Sequence, residues 1–238
     1  MNLHHRTGQT TVPRYAPHMS LAAVIFDFDG VVIDSHHAHE RSWFMLADEI
    51  GKSLTREQFN ATFGQRNETI LPLLGWADES DTARIKELGD RKEVLYREIL
   101  ANEGIEALPG VVALLEDLKN AGIPTAVGTS AQRKNIECAF GLLGIAHLFQ
   151  GVAASEDVTR GKPDPEVFLK AAAKLGAVPA DCVVIEDAHA GLRAARAGGM
   201  KCVGVTTTHP AESLAAESPD RIVSTMEVLD TDALRALW

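Results

Sequence analysis

The apolar residues of this chain change period along its length, and each change predicts a different kind of element. Ala23, Val24, Ile25 and Phe26 are an uninterrupted apolar run, the pattern of a short strand buried on both faces. From Ser35 the spacing becomes helical. SHHAHERSWFMLADEIG sets Trp43, Leu46, Ala47 and Ile50 on one stripe, with Gly51 as its stop. Thr55 and Gln58 form a capping-box pattern ahead of a helix that carries Phe59 and Phe63 and ends at Gly64. Asn67 is placed to cap a short third helix through Ile70, Leu71 and Leu74, with Pro72 confining it to its first turns. A long helix follows from about Ser80, with Ile85, Leu88, Leu95 and Ile99 on one side and Gly104 at its end.

Beyond Leu108-Pro109-Gly110 the texture alternates between helix and strand. Expected helices cover Val111–Ala121, Gln132–Leu143, Glu166–Leu175 and Ala188–Ala197. Expected strands cover Thr125–Val127, Gly151–Ala154, Cys182–Ile185 and Cys202–Val205, with Ile222–Val223 as a last one before a C-terminal helix. Strands alternating with helices imply βαβ units, hence a parallel sheet covered on both faces. The predicted fold is therefore α/β, a Rossmann-like parallel sheet interrupted after its first strand by an α-helical bundle. The expected organisation is a loose N-terminal arm at 1–20, an α/β core at 21–34 and 108–238, and a helical cap at 35–107.

Composition narrows the function classes. With 238 residues, 45% hydrophobic and 24% charged, the chain can bury a full-sized core without staples. Its formal net charge of -10 and the lack of a basic stripe argue against nucleic acid, and no apolar run reaches the length of a membrane span. The polar start MNLHHRTGQTTVPRYAPHMS has no apolar signal core, and His4-His5 reads as an accidental pair within it. Cys138, Cys182 and Cys202 show no ligand spacing and read as reduced residues of a cytoplasmic protein. The expectation is a monomer with a small-molecule substrate.

Chemistry concentrates where the strands end. Asp27 and Asp29 follow the first strand, Thr129 and Ser130 the second, and Glu186 and Asp187 a later one; Lys162 lies in the loop SEDVTRGKPDP. Strand ends of a parallel sheet face one way, so these groups converge. Carboxylates this close raise one another's pKa or recruit a cation, and Asp27, Glu186 and Asp187 are hard oxygen ligands suited to Mg²⁺. Thr129 and Lys162 offer a hydroxyl and a cation to the outer oxygens of a phosphate. A carboxylate beside the metal can attack phosphorus, and Asp29 then suits acid and base work on the oxygens that leave and arrive. Each residue also has a structural reading. Thr129 and Ser130 could cap a helix, Lys162 could be a solvated loop lysine, and Asp34 and Asp164 read as capping or hinge residues. His36 and His37 read as surface histidines.

These motifs resemble the haloacid dehalogenase superfamily, in its β-phosphoglucomutase-like branch with a helical cap, from about Leu21 to about His209. The resemblance implies that D-F-D-G supplies the nucleophile Asp27 and the acid/base Asp29. T-S supplies the phosphate hydroxyl of Thr129, with Ser130 beside it, and G-K-P-D-P supplies the phosphate lysine Lys162. I-E-D-A-H-A-G supplies the metal carboxylates Glu186 and Asp187, completed by Asp27 and the backbone oxygen of Asp29. His39, followed by Arg41 and Trp43, and Lys92 are similar to a cap histidine and a cap lysine of that branch. The mutase members carry an arginine in a G-x-S-R loop. Here the loop reads Gly64-Gln65-Arg66-Asn67-Glu68, with Asn67 in the arginine's place and Arg66 one residue early. The departure favours a Mg²⁺-dependent phosphatase for a small phosphorylated metabolite, such as a sugar phosphate, over a hexose-phosphate mutase. A phospho-acceptor signalling module and a non-catalytic binding protein are the readings from other classes.

Overall fold

The structure, a computed structural model, describes residues 20–238; the arm expected at 1–20 falls outside them except for Ser20. The first strand, β1 (Ala23–Phe26), is buried at every residue. Full burial of a Val, Ile or Phe side chain is worth about 1.5–3 kcal/mol, enough to offset ordering a short strand. Four helices follow: α1 (His36–Glu49), α2 (Arg56–Thr62), α3 (Asn67–Leu73) and α4 (Thr82–Glu103). The chain then alternates through α5 (Val111–Asn120), β2 (Thr125–Gly128), α6 (Arg133–Leu143), β3 (Gly151–Ala153), α7 (Glu166–Lys174), β4 (Cys182–Glu186) and α8 (His189–Ala197). It closes with β5 (Lys201–Val205), α9 (Ala211–Leu214), β6 (Arg221–Val223) and α10 (Thr231–Arg235).

All strand pairs are parallel, in the order β3-β2-β1-β4-β5-β6. The two-residue period of a strand divides β1 between two hydrophobic layers. Val24 and Phe26 pack with Val127, Val183 and Ile185 under α5 and α6, whereas Ala23 and Ile25 pack with Val184, Phe168 and Leu192 under α7 and α8. The cap has its own core around Trp43, Leu46, Phe59, Leu71 and Leu88. Helix α4 divides between the two. Leu95 belongs to the cap core, while Tyr96, Ile99 and Leu100 belong to the layer beneath the sheet. The expected stripe joining Leu95 and Ile99 therefore serves two cores rather than one.

Local signals explain some element ends. Thr55 and Gln58 form the reciprocal capping box, and Asp81 caps α4 through the Arg84 amide. The expected cap for α3 is corrected: Arg66 occupies the cap position, and Asn67 is already helical with its side chain drawn away to Glu93. Pro72 lies inside α3, where it removes one intrahelical hydrogen bond, and the helix ends one residue later at Leu73. His36 is corrected too. It is half-buried against Phe59 and Phe63, with ring centroids 5.2 and 4.7 Å apart, while His37 is exposed. The two crossings between cap and core run side by side, since the Leu108 amide donates to Val32 O at 3.0 Å and the Asp34 amide to Glu106 O at 3.3 Å.

Candidate active site

The register that places Phe26 opposite Ile185 brings Asp27 level with Glu186 at the end of the sheet. Past Asp27 the chain turns sharply. Phe28 O accepts from the amides of Val32 and Ile33, and Gly30 takes a positive φ of 78°. A side chain at Gly30 would be strained by that backbone and would also meet Asp187, whose Oδ2 lies 2.2 Å from the position of a Cβ. Gly191, in the first turn of α8, is required for space alone, because a Cβ there would fall 1.7 Å from Glu186 Oε1.

Among the described residues, Asp27, Glu186 and Asp187 bring ligand oxygens within 4.8 Å of one another, all from buried side chains. Glu186 is fully engaged: Oε1 accepts from Lys162 Nζ at 2.8 Å and Oε2 from the Ala188 amide at 2.6 Å. Lys162 Nζ also lies 2.8 Å from Asp27 Oδ1, but off the line of a hydrogen bond, so that buried oxygen has a charge beside it and no donor. Burial, with Glu186 and Asp29 nearby, pushes the Asp27 carboxyl up to about 7 against the pull of Lys162. Burial, with Glu186 and Asp27 nearby, holds Asp187 well above the usual range. Burial works against the Lys162 ammonium, but Asp27 and Glu186 outweigh it and hold its proton more tightly than in a free lysine. An orphaned buried oxygen among crowded carboxylates fits a divalent cation, and these three residues could coordinate one.

Thr129 is buried beside them; its amide continues the ladder to Ala153 O at 3.0 Å, and its Oγ1 accepts from the Ala131 amide at 3.1 Å. It does not cap α6, whose cap position is Gln132, so its hydroxyl hydrogen could be offered to an anion in the cleft. Ser130 lines the same cleft. Asp164 accepts from the Glu166 amide at the start of α7, and Asp34 lies exposed at the crossing.

On the cap side, Asp29 Oδ1 accepts from Ser35 Oγ at 2.6 Å and faces His39 Nε2 at 3.2 Å. His39 stacks on Tyr96 with centroids 4.1 Å apart, and Lys92 Nζ is 2.7 Å from its Nδ1. Burial would raise the Asp29 carboxyl, but His39, Ser35 and Lys92 together hold it below its ordinary value. Arg66 is not turned to solvent as a helix-start arginine often is. Its Cδ lies against Gly161, 3.1 Å from the position of a Cβ there, so it crosses from the cap to the loop of Lys162. Asn67 reaches Glu93 instead of an open cleft, donating Nδ2 to Oε1 at 2.8 Å.

Several residues of the site are missed by the sequence reading. Glu93 is one, and its signal is a carboxylate on the buried stripe that also carries Gly89, Tyr96 and Leu100. Thr207, Thr208 and His209 are others, and they follow β5 as a polar run at a strand end. Thr208 Oγ1 donates to Asp187 Oδ2 at 2.6 Å, and Thr207 Oγ1 to Gly30 O at 2.5 Å, so one loop holds both the acidic turn and Asp187.

A parallel sheet whose strand ends gather carboxylates, a threonine and a lysine beneath a helical lid defines a capped, Rossmann-like α/β enzyme. The chain belongs to the haloacid dehalogenase-like hydrolase family, whose sequence profile matches residues 21–199. It is 35% identical over 215 residues to the chloroplastic 5-amino-6-(5-phospho-D-ribitylamino)uracil phosphatase of Arabidopsis thaliana, a match covering 88% of this chain and 57% of that longer protein. It is 36% identical over 195 residues to the beta-phosphoglucomutase of Bacillus subtilis, covering 80% of this chain and 85% of the relative. The crystal structure of beta-phosphoglucomutase from Clostridium difficile superposes with a TM-score of 0.79 at 26% identity, covering 91% of this chain and 96% of that one. No helix among the described residues is long and apolar enough to cross a membrane.

Proposed function

We propose that this chain is a Mg²⁺-dependent phosphatase that hydrolyses a small phosphorylated metabolite, a sugar or polyol phosphate, with Asp27 as its nucleophile. The observation that carries the reading is Asp27 Oδ1: buried, without a donor, 2.8 Å from a lysine ammonium and next to the two other carboxylates. Attack by this oxygen on phosphorus forms a carboxyl–phosphorus bond and breaks the bond to the ester oxygen, which leaves with a proton from Asp29. Water then attacks phosphorus, Asp29 takes its proton, and Asp27 departs as the carboxylate. In the substrate-free arrangement Asp29 is set as a base; the arriving phosphate, itself an anion, raises its affinity for the proton it must deliver. Thr129 and Lys162 hold the outer phosphoryl oxygens, and Ser130 lies beside them. Asp27, Asp187, the Asp29 carbonyl and Glu186 would hold Mg²⁺, which when bound neutralises charge developing on the phosphoryl group.

The second reading is a hexose-phosphate mutase, favoured by the placement of Lys92 and His39 over Asp29 and by the beta-phosphoglucomutases this chain resembles. Hydrolysis is preferred because the loop position expected to hold an arginine in a mutase holds Asn67, whose amide is committed to Glu93. The test is a panel of phosphorylated sugars and polyols with Mg²⁺, read in parallel for orthophosphate and for isomer. Phosphate release is expected. It should vanish with EDTA and return with Mg²⁺, and Asp27→Asn should lower it by at least about 10³-fold without unfolding the protein. Isomer formation without phosphate release would establish the mutase instead.

A further inference from the structure

Glu93 takes no part in that chemistry, yet it is buried to 5% exposure on the inner face of α4. Its Oε1 accepts from Asn67 Nδ2 at 2.8 Å and Lys92 Nζ at 3.1 Å, and its Oε2 accepts from Asn135 Nδ2 at 2.6 Å. Asn67 and Lys92 lie on the cap helices, whereas Asn135, 2% exposed, lies in the first turn of the core helix α6. Arg97, one turn along α4 from Glu93, donates Nη1 to Asn135 Oδ1 at 2.7 Å. An arginine only donates, so the orientation of the Asn135 amide is fixed, with its oxygen to Arg97 and its nitrogen to Glu93. Two residues spaced i and i+4 on a cap helix therefore hold the two ends of one core amide.

Both ends of this arrangement lead to the reacting centre. Helix α6 begins directly behind the loop of Thr129 and Ser130. On the cap side, Lys92 passes from Glu93 to His39, and His39 to Asp29. A carboxylate buried this deeply is tolerated only with its donors in place, so one relative position of cap and core satisfies it.

We propose that Glu93 is a positioning residue: by joining Asn67 and Lys92 of the cap to Asn135 of the core, it sets the register of the closed cap and the direction of the Lys92 ammonium. This inference rests on the phosphatase reading above, and its test separates the two. Asn135→Asp replaces the donor that Glu93 accepts from with a like charge but keeps a partner for Arg97. It should lower kcat/KM at least about 30-fold for the sugar or polyol phosphate hydrolysed fastest in the panel, and leave p-nitrophenyl phosphate, which needs no cap contact, within about 3-fold. Adding Glu93→Gln, whose amide can donate to the new carboxylate, should recover at least about 10-fold of that loss. Small-angle X-ray scattering supplies a readout without substrate. The radius of gyration should grow in Asn135→Asp and shrink again in the double variant.

Losses that multiply in the double variant would overturn the proposal. So would equal losses on both esters accompanied by a fall in Tm, or unchanged kinetics and radius throughout. Should no sugar or polyol ester be hydrolysed while the radius changes as stated, the substrate class fails and the role of Glu93 stands. If Asn135→Asp does not fold, Asn135→Ala removes the donor to Glu93 and the acceptor for Arg97 without adding a charge, and the same split between the two esters is expected.

Discussion

Lys92 Nζ stands 2.7 Å from His39 Nδ1, and this contact determines which hydrogen faces Asp29. An ammonium can only donate, so Nδ1 accepts and the hydrogen resides on Nε2, the nitrogen 3.2 Å from Asp29 Oδ1. The cap thus reaches Asp29, the proposed acid/base, through a fixed tautomer. His39→Ala and Lys92→Ala should each lower kcat for a sugar phosphate by about 10²-fold or more, the usual scale of a lost acid–base partner. Turnover of p-nitrophenyl phosphate should fall far less. Equal losses on both esters would place the two residues in the core chemistry, and steady-state kinetics on the two substrates distinguishes the cases.

Gly191→Ala sets two effects against each other. Alanine is the better helix former by about 1 kcal/mol, so propensity alone would stabilise α8. The added Cβ, however, would lie 1.7 Å from Glu186 Oε1, which holds Lys162. The collision wins, because a buried carboxylate displaced from its donors costs more than the propensity gains. The variant should lose activity and metal binding together, as followed by titration with Mn²⁺ and its paramagnetic signal.

Thr208→Val keeps the shape of the side chain and removes the hydroxyl that donates to Asp187 Oδ2 at 2.6 Å. Groups that orient a metal ligand from behind are typically worth about 10- to 100-fold in affinity. The Mg²⁺ concentration for half-maximal activity should rise by that factor, with kcat at saturating metal changed little. An unchanged requirement would show that Asp187 is held by the backbone alone.

Glu166 organises the loop that presents Lys162. Its Oε2 accepts from the Thr159 amide at 3.0 Å, Thr159 Oγ1 at 2.9 Å and the Arg160 amide at 2.9 Å. Lys170, then the Arg160 amide and Thr159, hold its carboxyl down at about 2. A carboxyl depressed in the folded state stabilises above its unfolded value of about 4.5, and that contribution is lost as pH falls toward about 2. The Tm advantage of the wild type over Glu166→Gln should therefore be full at pH 6 and shrink steadily from about pH 4.5 downward. A difference independent of pH would mean the carboxylate charge contributes nothing.

The residues legible in the sequence are those that an apolar run delimits. Asp27 and Asp187 follow or close buried strands, and Thr129 follows another, so the rule that parallel strand ends converge is enough to bring them together. Lys162 lies in a loop without periodicity, so its place rests on chemistry, a cation to pair with Thr129 on a phosphate, to which the resemblance then adds. Glu93 was not legible for a different reason. A Lys-Glu pair inside an amphipathic helix reads as a solvated pair, and only the approach of α1 to Lys92 and of α6 to Glu93 turns the two residues inward. Asn67 shows the same limit. At a helix start an asparagine reads as a cap, and the competing attraction of a carboxylate 26 residues away is a tertiary fact. The division of α4 between two cores is also tertiary, since the stripe of Ile85, Leu88, Leu95 and Ile99 is equally compatible with one.

That division bears on how lids could be exchanged between relatives. A chimera that transplants a foreign lid by joining chains at the two crossings would also import the end of α4, and with it substitutes for Tyr96, Ile99 and Leu100. Those three side chains complete the layer beneath the sheet with Val31, Val32 and Ile33, so the graft would leave the recipient's own interior mismatched. The compatible splice lies within the helix, after Leu95, where the donor contributes the upper half and the recipient retains the lower.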